Sequence, residues 1–313
     1  MMRYAIVLLL LFPLLPYQPD TVDTEEPCNG EVALCDRLYT EVTFAETHNA
    51  HSTLDAGFLI YAANHRANMM NQYDAGIRAF MIDAHHADPE LLGEADTALC
   101  HGSSATPFHP CAYGSVNAVE LLSNLHAKMN ETPRDVVTLL FEVAVPYSHL
   151  EYILAESGLL PLVHVQPLGM PWPTLGEMVD SERRLVVFIE GRADAEFPFL
   201  HDFSTHGWTT NYAEESVEEM NCAYHRGDPS QPVWHLNNWL ADEIGLSDWT
   251  KAPQANAYDF LLDRAIECWR VQDHRPTFIA VDWWTEGEVV NVTRTLNAME
   301  HWSHSPPERA TTD

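Results

Sequence analysis

Residues 136–143 read VVTLLFEV, an unbroken apolar run that ends beside an acid, Glu142. A strand with one wet face alternates apolar and polar residues. A run without alternation is what a parallel strand covered on both faces requires. Working outward, the same shape recurs at Glu41–Thr47, Ile77–Ala84, Leu185–Glu190 and Phe278–Trp283. Helical periodicity between these runs predicts helices over Ala62–Asp74, Val116–Asn130, Ser148–Ser157, Leu175–Asp180, Asn256–Gln272 and Glu286–Met299. Thr174 and Glu177 have the spacing of a capping box for the fourth of these. Alternating strands and helices imply an α/β fold with a parallel sheet. The chain is also long enough for one (β/α)8 barrel, which takes about 250 residues. Phe197–Asp248, rich in Trp, His, Asn and Pro, reads as long loop material over one face rather than a second domain.

Charge narrows the functional classes. The 313 residues carry Lys+Arg 16 against Asp+Glu 46, a formal −30, with lysine only at 128 and 251. Such a chain lacks the cations that neutralise nucleic-acid phosphates, so nucleic acid is excluded as a partner. The acidity fits a saline medium or a solubility device. At the N-terminus, Arg3 precedes an apolar run from Tyr4 to about Leu15. That run is short for a spanning helix and has the length of a signal peptide's apolar core. We therefore expect a signal peptide over 1–22, its cut point open, and export to an extracellular or periplasmic space. One folded domain is expected over 28–300, with a tail over 301–313. Six cysteines, none in C-x-x-C spacing, indicate disulfides, and 15 connectivities exist for six. Local closure favours Cys28–Cys35 and Cys100–Cys111, leaving Cys222–Cys268. A single-domain monomer is the expected state.

Ionisable residues end the predicted strands: His48, Asp83, Glu142, Glu190 and Asp282. In a parallel barrel the active site lies at the C-terminal strand ends, so these groups would converge on one rim. Together "THNAHS", "QYDAGIRAFMIDAHH", "LCHG" and "VVTLLFE", in that order, resemble the catalytic X-region of phosphatidylinositol-specific phospholipase C-like phosphodiesterases. "CNGEVALCDRLYTEVTF" and "PTFIAVDWWTEGEVVNVTRTLN" are similar to the framing stretches of the secreted single-domain members. The likeness runs from about Cys28 to Asn297.

The resemblance implies a TIM-type barrel, distorted or incompletely closed. It implies that His48 is the general base and His101 the acid that protonates the leaving oxygen. Two imidazoles, with ordinary pKa values near 6.5, can exchange those roles near neutrality. Asp282 would orient His48. The calcium type of this family implies metal ligation by Asn49, Asp83 and Glu142, with Ca2+ the expected divalent cation and Mg2+ its alternative. Met81 stands where that type has a second carboxylate, and His85 is the candidate replacement ligand. Glu190 and Arg192 occupy the place of two lysines that read polyphosphorylated headgroups, and the glutamate at the first position argues against a highly phosphorylated headgroup. Arg78 is expected inside the barrel as a salt-bridge partner, and His51 on the rim. The expected partner is a phosphodiester, an inositol lipid or its headgroup, with transient contact at a membrane surface. Two rival readings are a barrel phosphodiesterase for glycerophosphodiesters or sphingomyelin-like lipids, and a barrel that binds a phosphorylated ligand without catalysis. "HRGD" at 225–228 is similar to a glycerophosphodiesterase motif but follows no apolar run, so it is set aside as chance.

Overall fold

The computed structural model describes residues 26–304, apart from 89, 91, 103–107 and 213. The expected signal peptide and the tail beyond 304 lie outside the described residues. The strands are β1 (Phe44–Thr47), β2 (Ala79–His86), β3 (Thr97–Leu99), β4 (Val116–Asn117), β5 (Val137–Val143), β6 (Leu185–Glu190), β7 (His201–Asp202), β8 (Gly207–Thr210), β9 (Tyr224–Gly227), β10 (Val233–Asn237) and β11 (Phe278–Val281). Nine of them form one curled sheet in the order β7-β6-β5-β2-β1-β11-β10-β8-β9, and β3 and β4 hang antiparallel off β2. All neighbours along the curl are parallel except β8 and β9. Among the described residues the end strands β7 and β9 do not pair with each other, so the barrel has an open seam.

Side chains alternate across each strand, and the alternation sorts the core into two layers. Phe80, Ile82, Leu139, Phe141, Val187 and Ile279 point outward against Leu122, Leu125 and Met129 of α2 (Ala118–Glu131), Leu150 and Ile153 of α3 (Tyr147–Glu156), and Leu261 of α7 (Tyr258–Gln272). The other helices are α1 (Met69–Ala75), α4 (Leu175–Asp180), α5 (Phe203–His206), α6 (Ala252–Ala255) and α8 (Val289–Ala298). Inside the barrel Phe44, Ala79, Leu140, Val186, Phe188 and Phe278 pack together. Tyr39 closes the foot, its hydroxyl 2.7 Å from Thr138 Oγ1 and its ring stacked on Trp172 at 4.6 Å. One interior pair is ionisable: His235 Nδ1 lies 2.8 Å from Glu46 Oε2, both fully buried.

The three disulfides are Cys28–Cys35, Cys100–Cys111 and Cys222–Cys268, the pairing local closure favours. Thr174 and Glu177 make the capping box at the start of α4.

Three expectations change. The helix over Ala62–Asp74 shrinks to α1, because Asn68 caps it through the amides of Met70 and Asn71, and Asn64 and His65 are drawn into the site instead. Val116 and Asn117 belong to β4, so α2 starts at Ala118. Phe197–Asp248 is not loop alone; it supplies β7 to β10. In β10 the inward face carries His235 and Asn237 after Val233, and these two line a polar cavity, so the run never becomes continuously apolar. Arg78 does make its ion pair, with Asp135 at 2.9 Å, but at the foot of the barrel.

Candidate active site

Parallel register fixes which strand ends are neighbours. Asp83 of β2 is level with Glu142 of β5, and Glu142 is level with Glu190 of β6. On the other side, Thr47 of β1 is level with Val281 of β11, which sets His48 beside Asp282. The strand ends thus carry, around the rim, Glu190, Glu142, Asp83, His48 and Asp282. A cavity of about 460 Å³ opens there, lined by His48, Asn49, Asp83, Glu142 and Glu190, with Trp239 from beyond β10. A larger cleft of about 590 Å³ lies at the foot near Arg78 and Asp135, at the opposite strand ends from this ionisable ring.

His48 is held on three sides. Its Nδ1 is 3.0 Å from Asp282 Oδ1, which makes Nδ1 the protonated nitrogen and leaves Nε2 as an acceptor. The Asn49 amide donates toward that Nε2 from 3.2 Å. Trp239 stacks flat on the ring, centroids 4.1 Å apart and planes 9° from parallel. Asp282 is buried and takes a second hydrogen bond from Asn64 Nδ2 at 3.0 Å. Burial works against its charge, but His48 and these donors outweigh burial and hold the carboxyl below its ordinary range. His65 Nε2 donates to the His48 carbonyl at 2.7 Å. Asn49 and Trp283, the residues that follow His48 and Asp282, both adopt left-handed backbone (φ 50° and 51°). The chain therefore turns sharply away just past each member of the pair, a conformation non-glycine residues adopt at a cost.

His101 follows β3 at the same end of the barrel. Its Nδ1 is 2.7 Å from the Ala62 carbonyl. Burial lowers its pKa, and the bond to the Ala62 carbonyl works against that shift. His51 is not a rim residue: it is buried edge-on to Phe58, and burial, then His101, keep it neutral well below the usual imidazole range.

The three level carboxylates repel one another. Burial, then Glu142, then Glu190 push Asp83 well above the carboxylate range; desolvation, then Glu190, raise Glu142. Asn49, Asp83 and Glu142 offer side-chain oxygens of the kind calcium or magnesium takes. Among the described residues no three His, Cys, Asp or Glu side chains converge into a metal cage.

His85 does not join this set. β2 runs past the rim, where it pairs with β3, and carries His85 beside His109 at 6.3 Å. Burial, then neighbouring histidines, lower its pKa to about 4. Arg192 lies on an exposed turn outside the cavity, its carbonyl bonded to the Tyr147 hydroxyl. Met81 lines the cavity as an apolar floor. Asn64, His65, Tyr212, Arg226 and Trp239 reach the site without a motif to announce them; the "NH" at 64–65, inside an apolar stretch, was the available signal for the first two.

The family described as PI-PLC X 1 matches residues 34–297. A PI-PLC X domain-containing protein 1 of Arthroderma benhamiae is 26% identical over 288 residues, covering 87% of this chain and 90% of the relative. A protein of the same fungus named as an uncharacterized secreted protein is 24% identical, covering 87% of this chain and 63% of the relative. A PI-PLC X domain-containing protein of Arabidopsis thaliana is 28% identical over 163 residues, covering 48% of this chain and 36% of the relative. The fold is similar to that of the phosphatidylinositol-specific phospholipase C of Staphylococcus aureus, with a TM-score of 0.54 at 12% identity, over 84% of this chain and 94% of that one. With the match spanning the strands that build the rim, and His48 to Asp282 inside its limits, the chain belongs to the PI-PLC X family.

Proposed function

We propose that this chain is an exported phosphodiesterase that cleaves an inositol phosphodiester by acid–base work of His48 and His101. The observation that carries the reading is His48, its Nδ1 fixed by Asp282 and its Nε2 turned to the cavity as an acceptor, with His101 following β3 at the same end of the barrel. His48 Nε2 takes the proton from the substrate's 2-hydroxyl, whose oxygen bonds to phosphorus. The bond from phosphorus to the diacylglycerol oxygen breaks, and His101 gives that oxygen a proton. The products are a cyclic inositol phosphate and diacylglycerol. Burial disfavours the protonated form of His101; the substrate's anionic phosphate offsets that penalty when bound. A divalent cation on Asn49, Asp83 and Glu142, Ca2+ with Mg2+ as alternative, would draw charge from a phosphoryl oxygen.

Export is supported by the three disulfides and by the relative named as secreted. The crest Leu59, Ile60 and Tyr61, exposed at 54%, 41% and 74%, stands next to Ala62, which binds His101. It offers apolar side chains for brief contact with a neutral lipid surface.

The test is turnover of a soluble inositol phosphodiester, with and without chelator, by wild type and Glu142→Gln. Chelation is expected to slow wild type by about a hundredfold or more, and Glu142→Gln to need more cation for half-maximal rate. Chelator-resistant turnover removes the cation and keeps the reaction. Turnover of choline or glycerol diesters only would move the chain to another substrate class. Binding without turnover of any diester would make it a non-catalytic barrel.

A further inference from the structure

The stretch His225–Asp228, set aside as a chance motif, carries a cation to the cavity. Among the described residues β9 pairs with β8 alone and borders the open seam of the barrel. From it Arg226 reaches across the seam to Glu190 at the end of β6, in a two-pronged ion pair whose Nη1–Oε2 limb is 3.2 Å. The guanidinium also lies over the Tyr212 ring at 5.3 Å. Tyr212 leans on Trp239 at 6.2 Å, and Trp239 stacks on His48. Arg226 therefore heads an aromatic wall that ends on the proposed base.

Charge gives this placement its meaning. Among the described residues that line the cavity, Arg226 has the one permanently cationic side chain, against Asp83, Glu142 and Glu190. An anionic diester entering the cavity meets an acidic lining that Arg226 alone offsets with a permanent positive charge. A phosphodiester's two free oxygens present to a guanidinium fork much the same geometry as the carboxylate of Glu190. The resting pair is also easily exchanged, because its members are 43% and 23% exposed and water screens their attraction. The Cys222–Cys268 disulfide, two residues before β9, ties the strand to α7 and keeps the arginine near the mouth.

We propose that Arg226 is a substrate-binding residue: it leaves Glu190 to grip the free phosphoryl oxygens, and Glu190 turns to accept from headgroup hydroxyls. The proposal rests on the phosphodiesterase reading and identifies a cation that acts on the phosphate independently of any metal.

The experiment uses the full chain with two readouts: calorimetric binding of myo-inositol 1-phosphate, and KM and kcat for a soluble inositol phosphodiester. Arg226→Gln is expected to weaken binding and raise KM about tenfold or more, with kcat changed far less, and Arg226→Lys to recover part of the loss. Glu190→Gln keeps an acceptor but frees the arginine, so binding should tighten about threefold. Equal weakening by Arg226→Gln and Glu190→Gln would make the pair a brace across the seam and overturn the proposal. Unchanged binding in Arg226→Gln would overturn it too. If wild type binds the probe but turns over no diester, the hydrolase reading fails while Arg226 is still judged by binding. If wild type binds neither probe nor substrate, both fail.

Discussion

His101→Ala is expected to slow turnover of a lipid diester about a thousandfold, yet to slow a p-nitrophenyl diester of the same headgroup about tenfold or less. The diacylglycerol oxygen leaves as an alkoxide unless it is protonated, whereas nitrophenolate leaves unaided. His48→Ala should slow both substrates by about the same thousandfold, because the attacking hydroxyl needs its proton removed whatever leaves. The asymmetry separates acid from base in a way that loss of activity alone does not. Equal losses with both substrates in His101→Ala would remove His101 from the acid role. Asp282 sits behind this result: with Nδ1 of His48 held by a carboxylate, Nε2 is the nitrogen left to accept.

The second large effect is on stability. His201 is buried, with Nδ1 donating to the Val187 carbonyl at 2.8 Å and Nε2 accepting from the Gln166 amide at 2.9 Å. A proton on Nε2 would face that N–H. Burial is the main cause that lowers the pKa to about 4, and His206 and His164 add to it. The group is neutral in the folded chain and titrates near 6.5 when unfolded, so the unfolded state binds the extra proton first. The contribution of His201 is therefore complete above pH 6.5 and is lost as pH falls toward 4. At about 1.4 kcal/mol per pH unit the loss is on the order of 3 kcal/mol. His65, also lowered to about 4 chiefly by burial, acts in the same direction. Denaturant unfolding at pH 7 and 4.5 should show the drop, and His201→Gln should be less stable at pH 7 but flatter between the two. An equal slope in wild type and variant would acquit His201.

What could be read before the fold was known follows from how each residue earns its place. Strands with both faces covered announce themselves by unbroken apolar runs, and β6 begins and ends where its run does. His48, Asp83, Glu142, Glu190 and Asp282 were legible because parallel register carries strand ends to one rim. β8 and β10 were not, because their inward faces line the polar cavity and interrupt the run. Arg226 and Trp239 escaped for another reason. They reach the cavity from segments that flank the rim, where distance along the chain says nothing about distance in space. His85 misled in the opposite way: it shares the pleat face of Asp83, but the strand outruns the rim by two residues.

The flat contact of Trp239 on His48 has an optical consequence. An excited indole hands an electron to an imidazolium far more readily than to a neutral imidazole, so emission from Trp239 dims when His48 gains a proton. The other tryptophans among the nine in the chain lack this contact in the described structure. The difference in fluorescence between the native chain and Trp239→Phe thus follows protonation of the proposed base, readable with no substrate present.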